Sequence, residues 1–589
     1  CDTHLLIDQH AALLTLAADD PQLASNRCRG RTAGIAQHHA DIERSATVEP
    51  PDGAARAPDA YHGADADVER LNDRRPAARR GATGARAVSG PRPGVTGFYL
   101  RFGTSVDPAV NDEVHALGRA LLAAPAVGVT DVVPGYASLY VEFDAACTDE
   151  RAVKRWVEAT RAAPEAPPAR SVAVPVAYDG PDLADVAALC GLSVEQAVAL
   201  HAGTEYRVYA LGFTPGFPYL GAVAPALRVP RLSRPRPRVE AHSVGLADAQ
   251  TGVYTVASPG GWRIVGTALT AVYDPRRAAP FLLEPGDRVR FLPGRGARPP
   301  APEPVALLPA SPERPLLRVL EPGLLDLVVD DGRLRAGRYG LARSGPLDPG
   351  SARLANRLLG NAPGAPVVEV NLRGPLLEVL RPTVLAFAGY GLAPLLDGEP
   401  VAPFASFLAP AGSVLSFAPR PPGARGYLAV PGGLASERFL GSASVDLRGG
   451  VGRALRAGDV LGGERPRAPL VGAVFAPHRR FGPVTVLRLV PGPQFSAEAA
   501  RALTAGAYTV ASADRMGVRF AGASVPGGEV LSEATPLGAL QVTPDGSPLL
   551  LLADRGTLGG YAKPAVLHGA DLGRAGQLRE GDRVRFAFA

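Results

Sequence analysis

Apolar and polar positions switch quickly along this chain, in short runs broken by glycine and proline, and that rhythm predicts strands and tight turns with few helices. Residues 98–103 read as a strand and turn, and 129–133 and 138–143 as strands, the last with Leu139, Val141 and Phe143 alternating against polar neighbours. Val114, Leu117, Leu121 and Leu122 recur at helical spacing and predict a helix over 111–123; a second is expected over 149–162. With a strand at 171–176, the order becomes strand–helix–strand–strand–helix–strand, that of a ferredoxin-like module. Two short helices follow within 181–201, the second capped by Ser193 with Glu195 in its first turn.

A strand over 206–213 leads into the most punctuated stretch, 212–262. It reads G-F-T-P-G-F-P-Y-L-G, then an arginine/proline run, then S-V-G-L-A-D-A-Q-T-G-V-Y-T-V-A-S-P-G-G-W. Pro215, Gly216 and Pro218 alternately fix and free the backbone, which marks a specific turn. Val253, Tyr254 and Val256 suit a half-buried strand. Gly260 and Gly261 let the backbone pass close to another strand or to a ligand. A strand at 271–273 and a closing hairpin over 283–291 complete a set that argues for a closed β-barrel. Residues 294–315, rich in Pro, Arg and Ala, have the composition of a semi-rigid linker, and strands resume beyond it. The pattern L-x-x-G-D recurs at 283–287, 455–459 and 578–582, the first and third copies continuing as R-V-R-F. Either three related β-modules produce this echo, or turns of this kind arise independently before closing strands.

Composition agrees with a mainly β chain: 68 Gly and 59 Pro in 589 residues, with 46% hydrophobic residues to build cores. The formal charge is only +5, and lysine occurs solely at Lys154 and Lys563, so no Lys/Arg-rich block of the nucleic-acid type is present. Cys1, Cys28, Cys147 and Cys190 form no C-x-x-C pair, which fits a reducing cytoplasm. No apolar run approaches the roughly 18 residues of a membrane span, and no signal segment opens the chain. Residues 1–94 lack periodicity beyond a short apolar patch; they hold His4, His10, His38, His39 and His62 without metal-ligand spacing. With Met516 as the single methionine, this stretch reads as a disordered or non-native extension. There is no G-x-x-x-x-G-K-[ST] phosphate loop, no amidase signature and no biotinyl-lysine hairpin between methionines.

The 212–262 stretch resembles the signature of the allophanate hydrolase subunit 1 family, which is also called the sporulation-kinase-inhibitor family or the 5-oxoprolinase B-component family. The second half resembles the partner family, allophanate hydrolase subunit 2 or the 5-oxoprolinase C component. Its opening motif is G-L-A-R-S-G-P-L-D at 340–348; Glu369 followed by Gly374-Pro375, D-R-M-G at 514–517 and Q-V-T-P-D-G-S-P-L-L-L-L-A-D-R-G-T-L-G-G-Y at 541–561 complete it. The two resemblances cover about 97–586 and imply a natural fusion of the two components. Two departures stand out: His242 precedes Ser243 where the family usually has glycine, and Thr267 follows Gly266 where an arginine is common.

The resemblance implies a ferredoxin-like module followed by cyclophilin-like barrels. The expected division is 1–94 extension, 95–176 ferredoxin-like, 177–293 barrel, 294–315 linker, 316–465 a subunit 2 β-module, and 466–589 a second cyclophilin-like module. It further implies a component of ATP-dependent 5-oxoprolinase using ATP and Mg2+, with a separate A-like protein as partner and a small carboxylated lactam as substrate. The alternatives are a protein-binding inhibitor of a sensor histidine kinase and a scaffold pair of urea-carboxylase type.

Candidate residues follow. His201, ending a helix, reads as a general base, a phosphate contact, or a histidine stabilised by the helix dipole. Gln250, Thr251, Ser258, Gly260 and Gly261 offer amide, hydroxyl and backbone groups for a carboxylate or phosphate, or form a packed turn around Trp262. Arg343, Ser344 and Asp348 precede a helix, where an anion is favoured, though Asp348 serves equally as an N-cap. Asp514 and Arg515 lie in the D-R-M-G turn. Asp554 and Arg555, with Gln541, Thr557, Gly559, Gly560 and Tyr561, cluster carboxylate, guanidinium and flexible backbone, as a site for a carboxylated substrate or magnesium-bound phosphate requires; the alternative is an Asp–Arg pair bracing a loop.

Overall fold

The first helix begins at Pro108, three residues before the start expected at 111. Asp107 caps it by accepting from the Ala109 and Val110 amides at 2.7 and 3.3 Å, Pro108 occupies the first turn, and Pro108–Ala123 follows. The computed structural model describes residues 94–160, 170–464, 469–476 and 481–589, and the backbone of 86–87; the expectations for the amino-terminal histidines lie outside these residues. The helix and its partner Glu150–Ala159 pack on a sheet ordered Arg86–Ala87, Gly97–Arg101, Ser138–Phe143, Val129–Pro134. Phe98, Leu100, Leu139, Val141 and Phe143 face the helices. Tyr140 and Glu142, the expected polar side of Ser138–Phe143, are also buried, because that face docks on the rest of the chain.

The strand Ser171–Ala177 does not return to this sheet. It enters a closed seven-stranded barrel, antiparallel to Arg263–Ala268 and parallel to Arg288–Pro293. A second closed seven-stranded barrel spans Thr485–Pro491 to Arg583–Phe588. Numbered in chain order, the strands of each barrel run 1-6-4-5-3-2-7 around the ring, and in each the first and last strands pair in parallel. Each also carries a two-stranded ribbon built from the same two connections, Arg236–Val239 with Ser258–Gly260 in the first and Glu529–Ala534 with Leu558–Tyr561 in the second. The barrels are topological copies.

Between them lie a six-stranded and a five-stranded sheet around a shared core that includes Leu317, Val328, Phe387 and Leu428, with the helix Pro349–Leu358 against the five-stranded one. The L-x-x-G-D echo has a local cause: the carboxylates of Asp287, Asp459 and Asp582 each accept the main-chain N–H three residues earlier, from Glu284, Arg456 and Arg579, at 2.8 Å. The first and third copies launch the strands that close the barrels. The second launches Val460–Gly462, which pairs with Pro315–Glu321 in the open six-stranded sheet. The same turn therefore starts strands in two architectures.

Among the described residues, no single helix is long and apolar enough to cross a membrane. Phe291 in the first barrel and Phe586 in the second end the shared R-V-R-F and are buried. Phe291→Ala should cost about 3–5 kcal/mol of first-barrel stability, read as a lowered urea midpoint in the fluorescence of Trp262. An unchanged midpoint would show that this barrel's core does not depend on its closing strand.

Candidate functional site

Both ribbons converge on one aromatic cluster. Val239 from the first and Ala534 and Leu558 from the second pack with Phe217, Tyr219, Tyr254 and Trp262 of the first barrel and Tyr99, Tyr136 and Tyr140 of the amino-terminal sheet. The approach is close: a Cβ on Gly212 would stand 2.5 Å from Leu558. On the first ribbon a Cβ at Gly260 would meet the Tyr254 hydroxyl at 2.2 Å, and on the second a Cβ at Gly559 would meet Gln541 Nε2 at 2.6 Å. At Gly260 the ring leaves no room for a side chain, and at Gly559 one would displace the Gln541 amide. Gln250 reaches across the seam and donates to the Tyr136 hydroxyl at 2.6 Å. Each ribbon also begins with a buried hydroxyl that has no hydrogen-bond partner, Ser258 Oγ in the first and Thr557 Oγ1 beside Leu558 in the second. Such groups are uncommon, because an unpaired buried hydroxyl costs free energy.

Two ion networks flank the second ribbon. In the first, Arg515 donates to Asp554 at 2.9 and 3.1 Å, to Glu369 at 2.5 Å, and to the Ser344 and Gly345 carbonyls at 3.2 and 2.9 Å. Burial opposes the Arg515 charge, but Asp554 and Glu369 overcome it and hold its proton more tightly than usual. Burial likewise pushes Glu369 up, and Arg515, Arg425, the Leu347 amide and the Tyr427 hydroxyl bring it below the ordinary carboxylate range. Asp554 stays above that range: burial dominates, and Arg515 restores only part. Next to it, Arg555 donates to Glu142 at 3.2 Å and to the Thr535 carbonyl at 2.7 Å, while Arg343 donates to the same Glu142 at 3.3 Å. In the second network Lys563, with no exposed surface, lies 3.2 Å from Glu533, which also accepts from Arg101 at 2.8 Å and Gln494 at 2.7 Å. Burial lowers the Lys563 pKa, and Glu533 partly restores it. Tyr99 completes the joint by donating to the Ala534 carbonyl at 2.5 Å.

The structure thus brings Arg343, Ser344, Arg515, Asp554 and Arg555 together, in a buried joint where every guanidinium already meets a carboxylate. Asp348 caps the helix Pro349–Leu358, accepting from the Ser351 amide at 3.3 Å and hydroxyl at 2.8 Å and from Gln577 at 3.0 Å. Asp514 lies on an exposed turn and accepts from the amides of Met516 and Gly517, both at 2.8 Å. His201 lies inside the first barrel, stacked on Phe291 at 4.7 Å, with one ring nitrogen 2.7 Å from the Tyr178 hydroxyl and the other 3.0 Å from Thr251. Burial drives its pKa down to about 3, so the ring is neutral at neutral pH. His242 adopts a left-handed φ of 70°, a conformation that glycine reaches more cheaply. Arg298, from the proline-rich segment, donates to Thr267 at 2.9 Å, so a guanidinium lies beside that position.

Sequence reasoning missed Glu142, Glu533, Lys563 and Arg298. For Lys563 a signal existed: it is one of two lysines among 62 basic residues, which marks a place where an ammonium does what a planar guanidinium does not.

Arg515→Met should destabilise the protein by about 3–5 kcal/mol, because it strands Glu369 and Asp554 without a countercharge; a loss in denaturant unfolding no larger than that of an exposed arginine variant would refute the joint. Asp131 sits in the same region, accepting from the Gly337 amide at 3.1 Å, and burial first and Glu142 second raise its pKa to about 7. Its folded pKa exceeds the unfolded value, so the folded state binds the extra proton, and stability should fall as pH rises from about 4 to about 7. Asp131→Asn should flatten that part of the pH profile of thermal unfolding.

A carboxyltransferase-domain model for subdomains C and D matches residues 92–283, and one for subdomains A and B matches residues 339–588. The first region resembles the B component of 5-oxoprolinase from Escherichia coli O157:H7, 42% identical over 208 residues that cover 34% of this chain and 93% of that protein. The second resembles the C component of 5-oxoprolinase from Haemophilus influenzae, 35% identical over 272 residues that cover 44% of this chain and 86% of that protein. The crystal structure of TTHA0988 superposes with a TM-score of 0.80 at 56% identity, covering 83% of this chain and 99% of that one. The chain therefore belongs to the 5-oxoprolinase B-component and C-component family of carboxyltransferase-domain proteins, with a B-like and a C-like part joined in that order in one polypeptide.

Proposed function

We propose that this chain is the B–C component of an ATP-dependent 5-oxoprolinase, acting in the cytoplasm with a separate A-like protein to convert 5-oxo-L-proline to L-glutamate. One observation carries the reading: the two topologically matched barrels, one B-like and one C-like, aim their glycine-bent ribbons at a single seam with an orphaned hydroxyl on each, Ser258 and Thr557. The relatives' names favour it over kinase inhibition. In this reading the barrels are cyclophilin-like, the amino-terminal module is a ferredoxin-like variant whose last strand was given to the barrel, and 294–315 joins the two parts.

A lactam amide is a poor electrophile, and phosphorylation of its carbonyl oxygen creates a leaving group; such transfer demands positioning and charge neutralisation. In this proposal Gln250, Gln541, the two hydroxyls and the ribbon backbone at Gly260, Gly261, Gly559, Gly560 and Tyr561 supply neutral donors and acceptors for a ring amide and a carboxylate. Arg343, Arg515 and Arg555 do not fit nucleotide phosphates, since each is already matched to a carboxylate. They hold the ribbon in place, as does Asp554, while Asp348 caps the helix Pro349–Leu358 and His201 and Thr251 brace the first barrel. Magnesium has no protein cage in this proposal: among the described residues no three His, Cys, Asp or Glu side chains converge to hold a metal ion.

The purified chain, mixed with an A-like protein, 5-oxoproline, ATP and magnesium, should produce glutamate and ADP together; glutamate no higher than with either protein alone rejects the proposal. Ser258→Ala and Thr557→Val should each lower kcat/KM about tenfold, the worth of one hydrogen bond near 1.4 kcal/mol. A hydroxyl that was merely structural would leave turnover unchanged and stability equal or higher.

A further inference from the structure

We propose that a recess between the helix Pro108–Ala123 and the loop at 335–338 binds a phosphate-bearing anion. The recess measures about 310 Å3 and is lined by Arg119, Arg335 and Arg338 around Leu122 and Ala123. It joins the B-like and C-like parts of the chain, and lies apart from the residues of the ribbon seam.

Charge carries the argument. The neighbouring guanidiniums are neutralised: Arg207 by Asp112, Arg343 and Arg555 by Glu142, Arg101 by Glu533. Arg119 and Arg335 have no ion-pair or side-chain hydrogen-bond partner among the described residues, and Arg338 meets a carboxylate only indirectly, through the Tyr339 hydroxyl that also lies 3.5 Å from Glu284. Three like charges lining one small space repel one another, a cost that a bound anion removes. Arg338 also keeps a buried Nε with no partner, a donor that a ligand oxygen would satisfy.

The recess is built before any ligand arrives. Arg338 lies 4.5 Å over the Tyr339 ring and donates to that hydroxyl at 2.7 Å; Tyr339 stacks on Phe281 at 4.4 Å, and Phe281 on Tyr273 at 5.2 Å. The Arg335 amide donates to the Thr130 carbonyl at 3.0 Å and the Gly337 amide to Asp131 at 3.1 Å, so the loop is pinned to the amino-terminal sheet. Arg335 holds a left-handed φ of 61°, a conformation that glycine adopts more cheaply, yet an arginine occupies it. The Arg338 fork, held in this way, matches the oxygens of phosphate in pairs, while the Arg119 and Arg335 side chains order on binding. A volume of this size admits a di- or triphosphate group and leaves most of a nucleoside outside.

The nucleotide as the source of that phosphate rests on the function proposed above; the anion site does not. The test is isothermal titration of the purified full chain with ATP, with pyrophosphate and with 5-oxoproline, paired with 31P line broadening. ATP and pyrophosphate should bind, more weakly as salt rises. Arg119→Gln with Arg335→Gln, both on the surface of the recess, should weaken them tenfold or more, while Arg585→Gln on the far barrel changes nothing. Pyrophosphate binding without ATP binding keeps the site and assigns it to free phosphates. No binding of either phosphate, or equal binding by the double variant, overturns the proposal. Failure of glutamate formation with phosphate binding intact sinks the oxoprolinase reading alone.

Discussion

Glu142 leaves water to sit between two arginines from the second half of the chain, and the rest of the architecture depends on that exchange. A lone buried carboxylate would be prohibitive; flanked by Arg343 and Arg555 it becomes a joint. The Glu533 network does the same a few residues away, with Arg101 of the amino-terminal sheet as its partner. Buried ion pairs add little net stability, but removing one partner is severe. Their effect here is to fix one docking geometry of the sheet on the second barrel, and so to set the walls of the seam.

That docking gives meaning to the duplicated barrels. A closed barrel has no free sheet edge, so each must meet its neighbours through side chains and through appendages. In both copies the appendage is the ribbon at the same two connections, and residues from both ribbons meet at the aromatic cluster. Among the described residues, unpaired positive charge gathers around Arg119, Arg335 and Arg338, at a different contact between the same two parts. The neutral seam and the basic recess divide the chemistry expected of a small carboxylated ring and a phosphate.

Much of the fold was legible locally. The helix spacing at Val114, Leu117 and Leu121, the cap at Ser193 and the closing R-V-R-F strands all depend on neighbours within a few residues. The partner of Ser171–Ala177 was not legible: a strand's alternation says that it pairs, and its place beside Arg288–Pro293 is decided by residues more than a hundred positions away. The same limit hid where the second L-x-x-G-D turn leads: its Asp459 makes the same local bond as its counterparts but feeds an open sheet.

For the site, the residue types were readable and their state was not. Arginine, aspartate and glycine at 343–348, 514–517 and 554–561 announced that charge and close backbone approach were needed. Sequence by itself also determined the two-part B–C order and the strand-rich build, because motifs and periodicity are properties of consecutive residues. Only the tertiary structure decided which arginines are neutralised and which stand free, since a charge's partner, its burial and hence its chemistry are set by what the fold brings within a few ångströms.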